Sequence, residues 1–245
     1  RWYFDWFESA VGPVQEHVGV EAFEPEPDDL PPYATWVATT ADRFAGLADE
    51  STDIVFAGQT TEHLWADELS GFLVQARRVI RSGGQLILDS PNRLVTEHLQ
   101  WSHGGHSVEL SGAEISELVT LAGFEVVSLR GAWRCRFGDK VLQLEEQLDD
   151  GATLVRRIVE GPANPDDSFV WWLIARPHSE PDTAALVERC RELYDLHWPT
   201  RVCRGMWPGP GHHGPRAEPS QPIEVESLPF MLHPGRFRLT VSLVN

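Results

Sequence analysis

The middle of this 245-residue chain contains a short apolar strand, a long amphipathic helix, a glycine pair and a second apolar strand in direct succession. Residues 52–57 form the first apolar run, whose short length favours a buried strand over a helix. Residues 67–81 repeat apolar side chains at helical spacing, and the pair Gly83-Gly84 separates that helix from the apolar residues 85–89. This order is typical of two parallel strands joined by a crossover helix.

Strands and helices alternate through most of residues 1–130, which predicts an α/β domain with a doubly wound, mostly parallel sheet. We predict that the domain covers residues 1–198 and that residues 131–168 are an insertion before its last strand. Residues 199–222 are rich in proline and glycine, which predicts a linker. Residues 223–245 end in alternating polar and apolar side chains and predict the start of a small β element.

The composition disfavours several classes of partner. The formal net charge is −17, and a chain this acidic is unsuited to gripping nucleic acid through its phosphates. Hydrophobic residues make up 42% of the sequence, enough for a packed core, but no apolar run approaches the roughly 20 residues of a membrane span. The three cysteines, Cys135, Cys190 and Cys203, form neither a paired disulfide pattern nor a zinc motif, which favours the reducing cytoplasm.

Five short motifs occur in the order and spacing of one known family. They are Asp53-Ile54-Val55, Glu62-His63-Leu64, Arg78-Val79-Ile80-x-x-Gly83-Gly84, Pro91-Asn92 and Ala122-Gly123-Phe124. Together they resemble the class I S-adenosylmethionine-dependent methyltransferases, over residues 1–176. The resemblance implies a Rossmann-like fold with a C-terminal extension, and S-adenosyl-L-methionine as the cofactor. The family's first strand and glycine-rich loop would precede the strand that ends at Glu21, so we expect a fragment that lacks both.

Six residues are candidates for binding this cofactor: Glu21, Ala22, Ala41, Asp42, Gly58 and Gln59. An acid at the carboxyl end of the second strand of a nucleotide-binding sheet accepts hydrogen bonds from ribose hydroxyls, which points to Glu21. The resemblance implies that Ala22 packs against the adenine and that Ala41 and Asp42 lie near the adenine amine. Helix capping is an equal alternative for Asp42. Gly58 and Gln59 follow a strand of the sheet, where the resemblance implies contact with the methionine part of the cofactor.

Three histidines are candidates for catalysis. His63 would lie beside the transferred methyl group, and its ordinary pKa of about 6.5 suits a general base that takes a proton from a substrate hydroxyl. His103 and His106 belong to a glycine-containing loop after the next strand, where the family places residues that face the substrate. The alternative for His63 is simple packing and hydrogen bonding, and for the loop histidines a solvated surface.

A metal site is a further alternative for the same loop. Some related enzymes have Glu-x-x-Glu-His there and bind a divalent cation, and in this chain Glu62, His63 and His106 correspond to three of those ligands. Gln59 stands in place of the first glutamate, and a neutral amide is a poor ligand for a hard cation. We therefore predict that the site binds no metal.

The resemblance implies methyl transfer, and we expect the acceptor to be a hydroxyl of a small molecule or a saccharide. A nicotinamide-dependent oxidoreductase is one alternative, since Glu21 would also suit a dinucleotide. The other is a catalytically inactive, methyltransferase-like scaffold that only binds partners. The sequence leaves the oligomeric state open.

Overall fold

The structure is a computed structural model. It describes residues 9, 12 and 14–203, except 23, 24, 102, 104 and 145–150, and for residues 198–203 it describes the backbone alone. The predicted β element at 223–245 and the predicted linker beyond residue 203 lie outside the described residues. Among the described helices, none has the length and apolar character needed to cross a membrane.

The central sheet has four strands. Strands β3 (Thr52–Gly58) and β4 (Ile80–Pro91) run parallel, as the sequence predicts. Strand β8 (Ser168–Pro177) is antiparallel to both β4 and β5 (Phe124–Arg134) and lies between them. Because only β8 is reversed in this sheet, the mostly parallel α/β class is confirmed.

A second, two-stranded parallel sheet comes earlier in the chain. It pairs β1 (His17–Glu21) with β2 (Ala34–Ala38) in register. Within the described residues, this sheet and the four-stranded one share no hydrogen-bonded ladder. Val20 nevertheless packs against the main hydrophobic core.

Helix α1 (Ala66–Val79) connects β3 to β4. Its side chains at helical spacing, Leu69, Phe72, Leu73 and Ala76, are fully buried in the main core. The helix ends two residues before the predicted boundary, because Ile80 and Arg81 already belong to β4. The glycine pair lies at a break in the β3–β4 pairing, since the partner of Thr52 is Ile80 but that of Ile54 is Gln85.

Two more helices lie close to the site. Helix α2 (Arg93–Leu99) follows β4 directly. Helix α3 (Gly112–Leu121) begins after Ser111, whose hydroxyl accepts a hydrogen bond from the Glu114 backbone N–H in a capping box.

Two predicted boundaries are wrong. Strand β5 continues to Arg134, so residues 131–134 belong to the sheet and the insertion is shorter than 131–168. The insertion contains a small hairpin of β6 (Arg136–Phe137) and β7 (Lys140–Val141) and helix α4 (Gly151–Glu160).

The last helix, α5 (Thr183–Cys203), passes residue 198, so residues 199–203 are helical rather than linker. In both cases pairing or helical hydrogen bonding extends through residues whose local composition suggests a loop.

Gly131 on β5 is the glycine with the tightest surroundings. A Cβ atom at this position would lie 2.3 Å from Ser168 Oγ and 2.5 Å from the carbonyl oxygen of Gly161. We expect Gly131→Ala to lower the free energy of unfolding by about 3 kcal/mol, because the obstacle includes backbone and cannot move aside cheaply. Urea unfolding measures this change. Gly151→Ala is the matched control, since no atom of the described residues lies within 4 Å of its Cβ position. An equal loss in both variants would contradict the steric explanation.

Candidate active site

The candidate site lies where β3 and β4 end, at the carboxyl edge that binds ligands in open α/β sheets. After β3, Gln59 adopts a left-handed backbone conformation (φ 50°), and a 3-10 turn follows at Thr61–His63. The backbone N–H of Gln59 donates to the carbonyl oxygen of Asp89 (3.0 Å), and its Nε2 donates to Asp89 Oδ1 (2.7 Å). These bonds tie the turn to the end of β4 and carry the next residues inward.

Glu62 is a buried carboxyl group in the centre of the site. Its side chain is inaccessible, and the whole residue is 1% exposed. Oε2 accepts a hydrogen bond from Ser90 Oγ (2.9 Å), whereas Oε1 has no hydrogen-bond partner among the described residues. Burial raises the pKa of Glu62 to about 8, and the hydrogen bonds it receives only partly oppose this.

The loop after α2 is held against this turn by its backbone. The carbonyl oxygen of Glu62 accepts hydrogen bonds from the Ser107 backbone N–H (2.6 Å) and hydroxyl (2.9 Å). His106 is thereby brought next to Glu62, with its Nε2 4.0 Å from Glu62 Oε1. The two predicted regions of the site, far apart in sequence, therefore meet.

His106 is buried and oriented by a carboxylate. Its Nδ1 donates to Glu109 Oε1 (2.8 Å), and the hydroxyl of Thr96 donates to Glu109 Oε2. The proton on Nδ1 leaves Nε2, the atom that faces Glu62, with a lone pair in the neutral ring. Burial lowers the pKa of His106 to about 4, although Glu109 opposes the shift, so the ring is neutral near pH 7.

His63 is half-buried at the side of the cluster. Its Nδ1 donates to the carbonyl oxygen of Gly105 (2.9 Å), which leaves Nε2 with the lone pair when the ring is neutral. The His63 ring lies 4.8 Å from the His106 ring, centroid to centroid, and nearly perpendicular to it. The exposed His103 ring lies 4.5 Å from His106 and 6.1 Å from His63. The structure therefore brings together all three histidines predicted as catalytic, while their roles stay predictions.

Two of the predicted cofactor residues adjoin this cluster. Gly58 is buried at the end of β3, and Gln59 follows it with its side chain engaged by Asp89. Burial raises the pKa of Asp89, against the lowering effect of its hydrogen bonds from Gln59. Gln59 thus holds the turn in place, a role that sequence reasoning missed.

The other four lie on or after the two-stranded sheet. Glu21 ends β1, and its Oε1 accepts a hydrogen bond from the backbone N–H of the exposed Ala22 (2.8 Å). Ala41 packs against the main core. Asp42 lies against α1, where a Cβ on Gly71 would come within 3.0 Å of the Asp42 Cβ. Glu21 thus lies at the end of β1 and Asp42 follows β2, positions that are typical of a nucleotide-binding edge, and the cofactor roles stay predictions.

Sequence reasoning missed the residues that orient the cluster: Ser90, Thr96, Ser107 and Glu109. The spacing His-x-x-Glu of His106 and Glu109 offered a weak signal, because a short turn brings such residues together. Thr96 and Ser90 offered none, because their pairing depends on contacts across 13 and 28 residues.

Comparisons with known proteins agree with the fold. A family model described as a methyltransferase domain matches residues 16–88. A probable S-adenosylmethionine-dependent methyltransferase of Mycolicibacterium smegmatis is 32% identical over 116 residues, which are 41% of this chain and 42% of that protein. One of Mycobacterium tuberculosis is 34% identical over 92 residues, 35% of this chain and 31% of that protein. The matches thus span less than half the length of these relatives.

Among solved structures, an S-adenosylmethionine-dependent methyltransferase from Archaeoglobus fulgidus superimposes with a TM-score of 0.51. The superposition covers 71% of this chain and 80% of that one, at 18% sequence identity. At this identity the likeness concerns the fold alone.

Proposed function

We propose that this chain, a member of the class I S-adenosylmethionine-dependent methyltransferases, methylates a hydroxyl group of a small molecule or a saccharide. The observation that carries the proposal is the cluster of three imidazoles and a buried carboxyl group at the carboxyl edge of the sheet. Hydroxyl groups are poor nucleophiles until they lose a proton, and this cluster supplies neutral nitrogen lone pairs next to the predicted cofactor edge.

The residues present fit the cofactor in their chemistry. Glu21, at the end of β1, supplies a carboxylate for ribose hydroxyls, and the buried Gly58 at the end of β3 allows close approach to the backbone. S-adenosylmethionine supplies a methyl carbon bonded to a positively charged sulfur. Asp42, after β2, is the candidate partner of the adenine amine.

Bound cofactor would give up its methyl carbon to the acceptor oxygen, and the electron pair of the broken C–S bond would remain on sulfur. Nε2 of His63 takes the hydroxyl proton, because the bond from Nδ1 to Gly105 leaves the lone pair on that atom. His103, exposed on the loop, is the candidate contact for the rest of the acceptor.

The net charge of the chain bears on the class of acceptor, and its thiols bear on the cellular compartment. The net charge of −17 disfavours a nucleic-acid acceptor, which would be repelled, and supports a small molecule. The buried, unpaired thiols of Cys135 and Cys190 support a reducing, cytoplasmic setting.

Calorimetric titration of S-adenosylhomocysteine into the full-length protein tests the cofactor. We expect saturable binding and a loss of about tenfold in affinity for Glu21→Gln, since an amide is a weaker acceptor for ribose hydroxyls than a carboxylate. Glu16→Gln, at an exposed acid just before β1, is the control and should bind as the unchanged protein does. Binding of a nicotinamide dinucleotide instead would make the chain an oxidoreductase, and binding of neither would leave a scaffold.

A further inference from the structure

We infer that Arg157 binds an anionic group of the acceptor, and that the acceptor is an aromatic molecule with both a hydroxyl group and a carboxylate. Its ring would pack on Trp101, Phe169 and Trp133, three half-buried side chains that we call the aromatic wall. The inference rests on the proposed function and deepens it, because it selects one class among the small molecules proposed there.

Arg157 is a cation on α4 with no exposed surface. Its Nη2 donates to the backbone carbonyl oxygen of Gln143 (2.8 Å) and its Nη1 donates to Cys135 Sγ (3.7 Å). Its Nε has no hydrogen-bond partner among the described residues. Taking a charge out of water without a counter-charge is costly, so this position points to an anion that a ligand supplies.

The neighbouring arginines show the contrast. Arg134 pairs with Glu160 (2.6 Å) and Asp167 (2.9 Å), and Arg156 pairs with Glu160 (2.8 Å). Their side chains are 15% and 55% exposed, whereas Arg157 is fully buried and has no carboxylate partner among the described residues. The Nε–H of a guanidinium and a neighbouring N–H form a fork that matches the two oxygens of a carboxylate.

Trp133 places an aromatic ring against this cation. The carbon at the centre of the Arg157 guanidinium lies 5.2 Å from the centre of the Trp133 ring. The backbone of Trp133 is in the left-handed region (φ 61°), which is uncommon for a bulky side chain. Such a conformation persists only where the surrounding structure holds it, and it occurs often at ligand-binding sites.

The aromatic wall joins Arg157 to the histidine cluster. The Trp101 ring lies 6.2 Å from the His103 ring, centroid to centroid, and the two planes differ by 21°. The Phe169 ring is perpendicular to that of Trp101 at 5.0 Å, and both residues pack against the same small core as Trp133. An aromatic acceptor on this wall would have its hydroxyl at the histidines and its carboxylate at Arg157.

Binding requires that the carboxylate replace a group that covers Arg157. One such group is the backbone carbonyl oxygen of Gln143, an exposed residue that follows β7. A charged carboxylate forms a stronger hydrogen bond with a guanidinium than a neutral carbonyl oxygen does. The exchange of one acceptor for the other would therefore favour the bound state.

The acidity of the hydroxyl supports an aromatic acceptor over a saccharide. A phenol has an ordinary pKa of about 10, as in tyrosine, and an imidazole one of about 6.5. Sugar hydroxyls are weaker acids than phenols, towards the value of about 15.7 for water. An imidazole therefore takes a proton from a phenol against a smaller difference in pKa.

Calorimetric titration of matched acceptors into the full-length protein, with and without S-adenosylhomocysteine, tests the inference. The probes are 4-hydroxybenzoate and 4-hydroxycinnamate, their uncharged amides, and methyl glucoside as a saccharide. We expect at least one carboxylate to bind with a Kd below about 1 mM, and its amide to bind at least about tenfold more weakly. Equal binding of acid and amide, binding of the glucoside alone, or binding of no probe overturns the inference.

Variants of the two adjacent arginines locate the preference for the acid. Arg157→Met removes the charge from a long side chain and should abolish the difference between acid and amide. Arg156→Met is the matched control and should keep that difference, since Arg156 is exposed and pairs with Glu160. A preference that survives Arg157→Met overturns the assignment, and the comparison on the unchanged protein decides the question if this variant does not fold.

Variants of Trp101 test the aromatic wall. Trp101→Ala should weaken binding of the acid by about tenfold, whereas Trp101→Phe keeps an aromatic face and should stay within about threefold of the unchanged protein. An acid that binds both variants as it binds the unchanged protein would show that its ring does not pack there, which overturns the aromatic class.

Titration of S-adenosylhomocysteine into the same samples separates the two proposals. Normal binding of this cofactor analogue without a preference for the acid overturns the acceptor class alone. Absence of cofactor binding with the preference intact overturns the proposed function instead.

Discussion

Replacing His63 with alanine is expected to lower kcat/KM for methyl transfer by about 10²–10⁴-fold, the usual contribution of a positioned acid–base group. The reason is the lone pair on Nε2, which the hydrogen bond from Nδ1 to Gly105 fixes in place. In the proposed reaction that lone pair accepts the hydroxyl proton, so the alanine variant lacks the base. The measurement is transfer of labelled methyl groups to the acceptor identified by screening.

The control must remove a histidine without touching the cluster. His178→Ala meets that condition, since His178 is exposed just beyond Pro177, which pairs with the first residue of β5. We expect its kcat/KM to stay within about threefold of the unchanged protein, a difference of under ~0.7 kcal/mol in the barrier. If His63→Ala showed the same small change while binding S-adenosylhomocysteine normally, His63 would have a packing role only.

The other large effect concerns stability. Glu114→Gln is expected to lower the free energy of unfolding by about 2–4 kcal/mol at pH 7, because it removes the charge that compensates a partly buried cation. Glu114 accepts hydrogen bonds from Arg93 (2.7 Å) and His197 (2.8 Å) through Oε1, and from the Ser111 backbone N–H (2.7 Å) through Oε2. One carboxylate therefore joins α2, the start of α3 and α5.

This effect should depend on pH in a defined direction. Burial opposes ionisation of Glu114, but the hydrogen bonds from His197, Ser111 and Arg93 outweigh it and hold the pKa well below its usual range. A carboxyl group whose folded-state pKa is depressed contributes stability above its unfolded pKa, of about 4.3, and loses it as the pH falls below that value. The difference between the two proteins should therefore shrink between pH 5 and pH 3.

Urea unfolding at several pH values measures both the size and the pH dependence. Glu117→Gln is the matched control, since Glu117 also pairs a residue of α3 with one of α5, Arg189, but both side chains are substantially exposed. Exposed pairs contribute at most about 1 kcal/mol, so this variant should be nearly as stable as the unchanged protein. A Glu114→Gln loss that stayed constant down to pH 3 would mean that the charge is not its cause.

The local pattern of apolar and polar residues was sufficient to predict the helices and strands that have strong periodicity. The apolar stripe of α1 and the capping box at Ser111 could be predicted because each depends on residues within one or two helical turns. Helix α2 could not be predicted, because its seven residues carry no clear apolar stripe. It is stabilised by the hydrogen bond that the Asn92 side chain accepts from the Leu94 backbone N–H, and by the salt bridge between Arg93 and Glu114.

The site divides in the same way. Glu62, His63 and His106 were recognisable as candidates from their residue types and their place after strands, and the structure brings them together. The residues that orient them were not recognisable, because Ser90 and Glu109 form side-chain hydrogen bonds that follow no repeating spacing in the sequence.

The sequence by itself predicted the α/β class, the resemblance to the methyltransferases and the edge of the sheet at which chemistry-bearing residues collect. These follow from hydrophobic periodicity and from motifs whose parts are close in the chain. Only the tertiary structure decided that strand β8 is reversed, that Gln59 holds the turn at Asp89, and that one oxygen of Glu62 is buried beside two oriented histidines. Those outcomes depend on which groups are buried and on which distant segments pair. Neither can be predicted from the residues that are neighbours in the sequence.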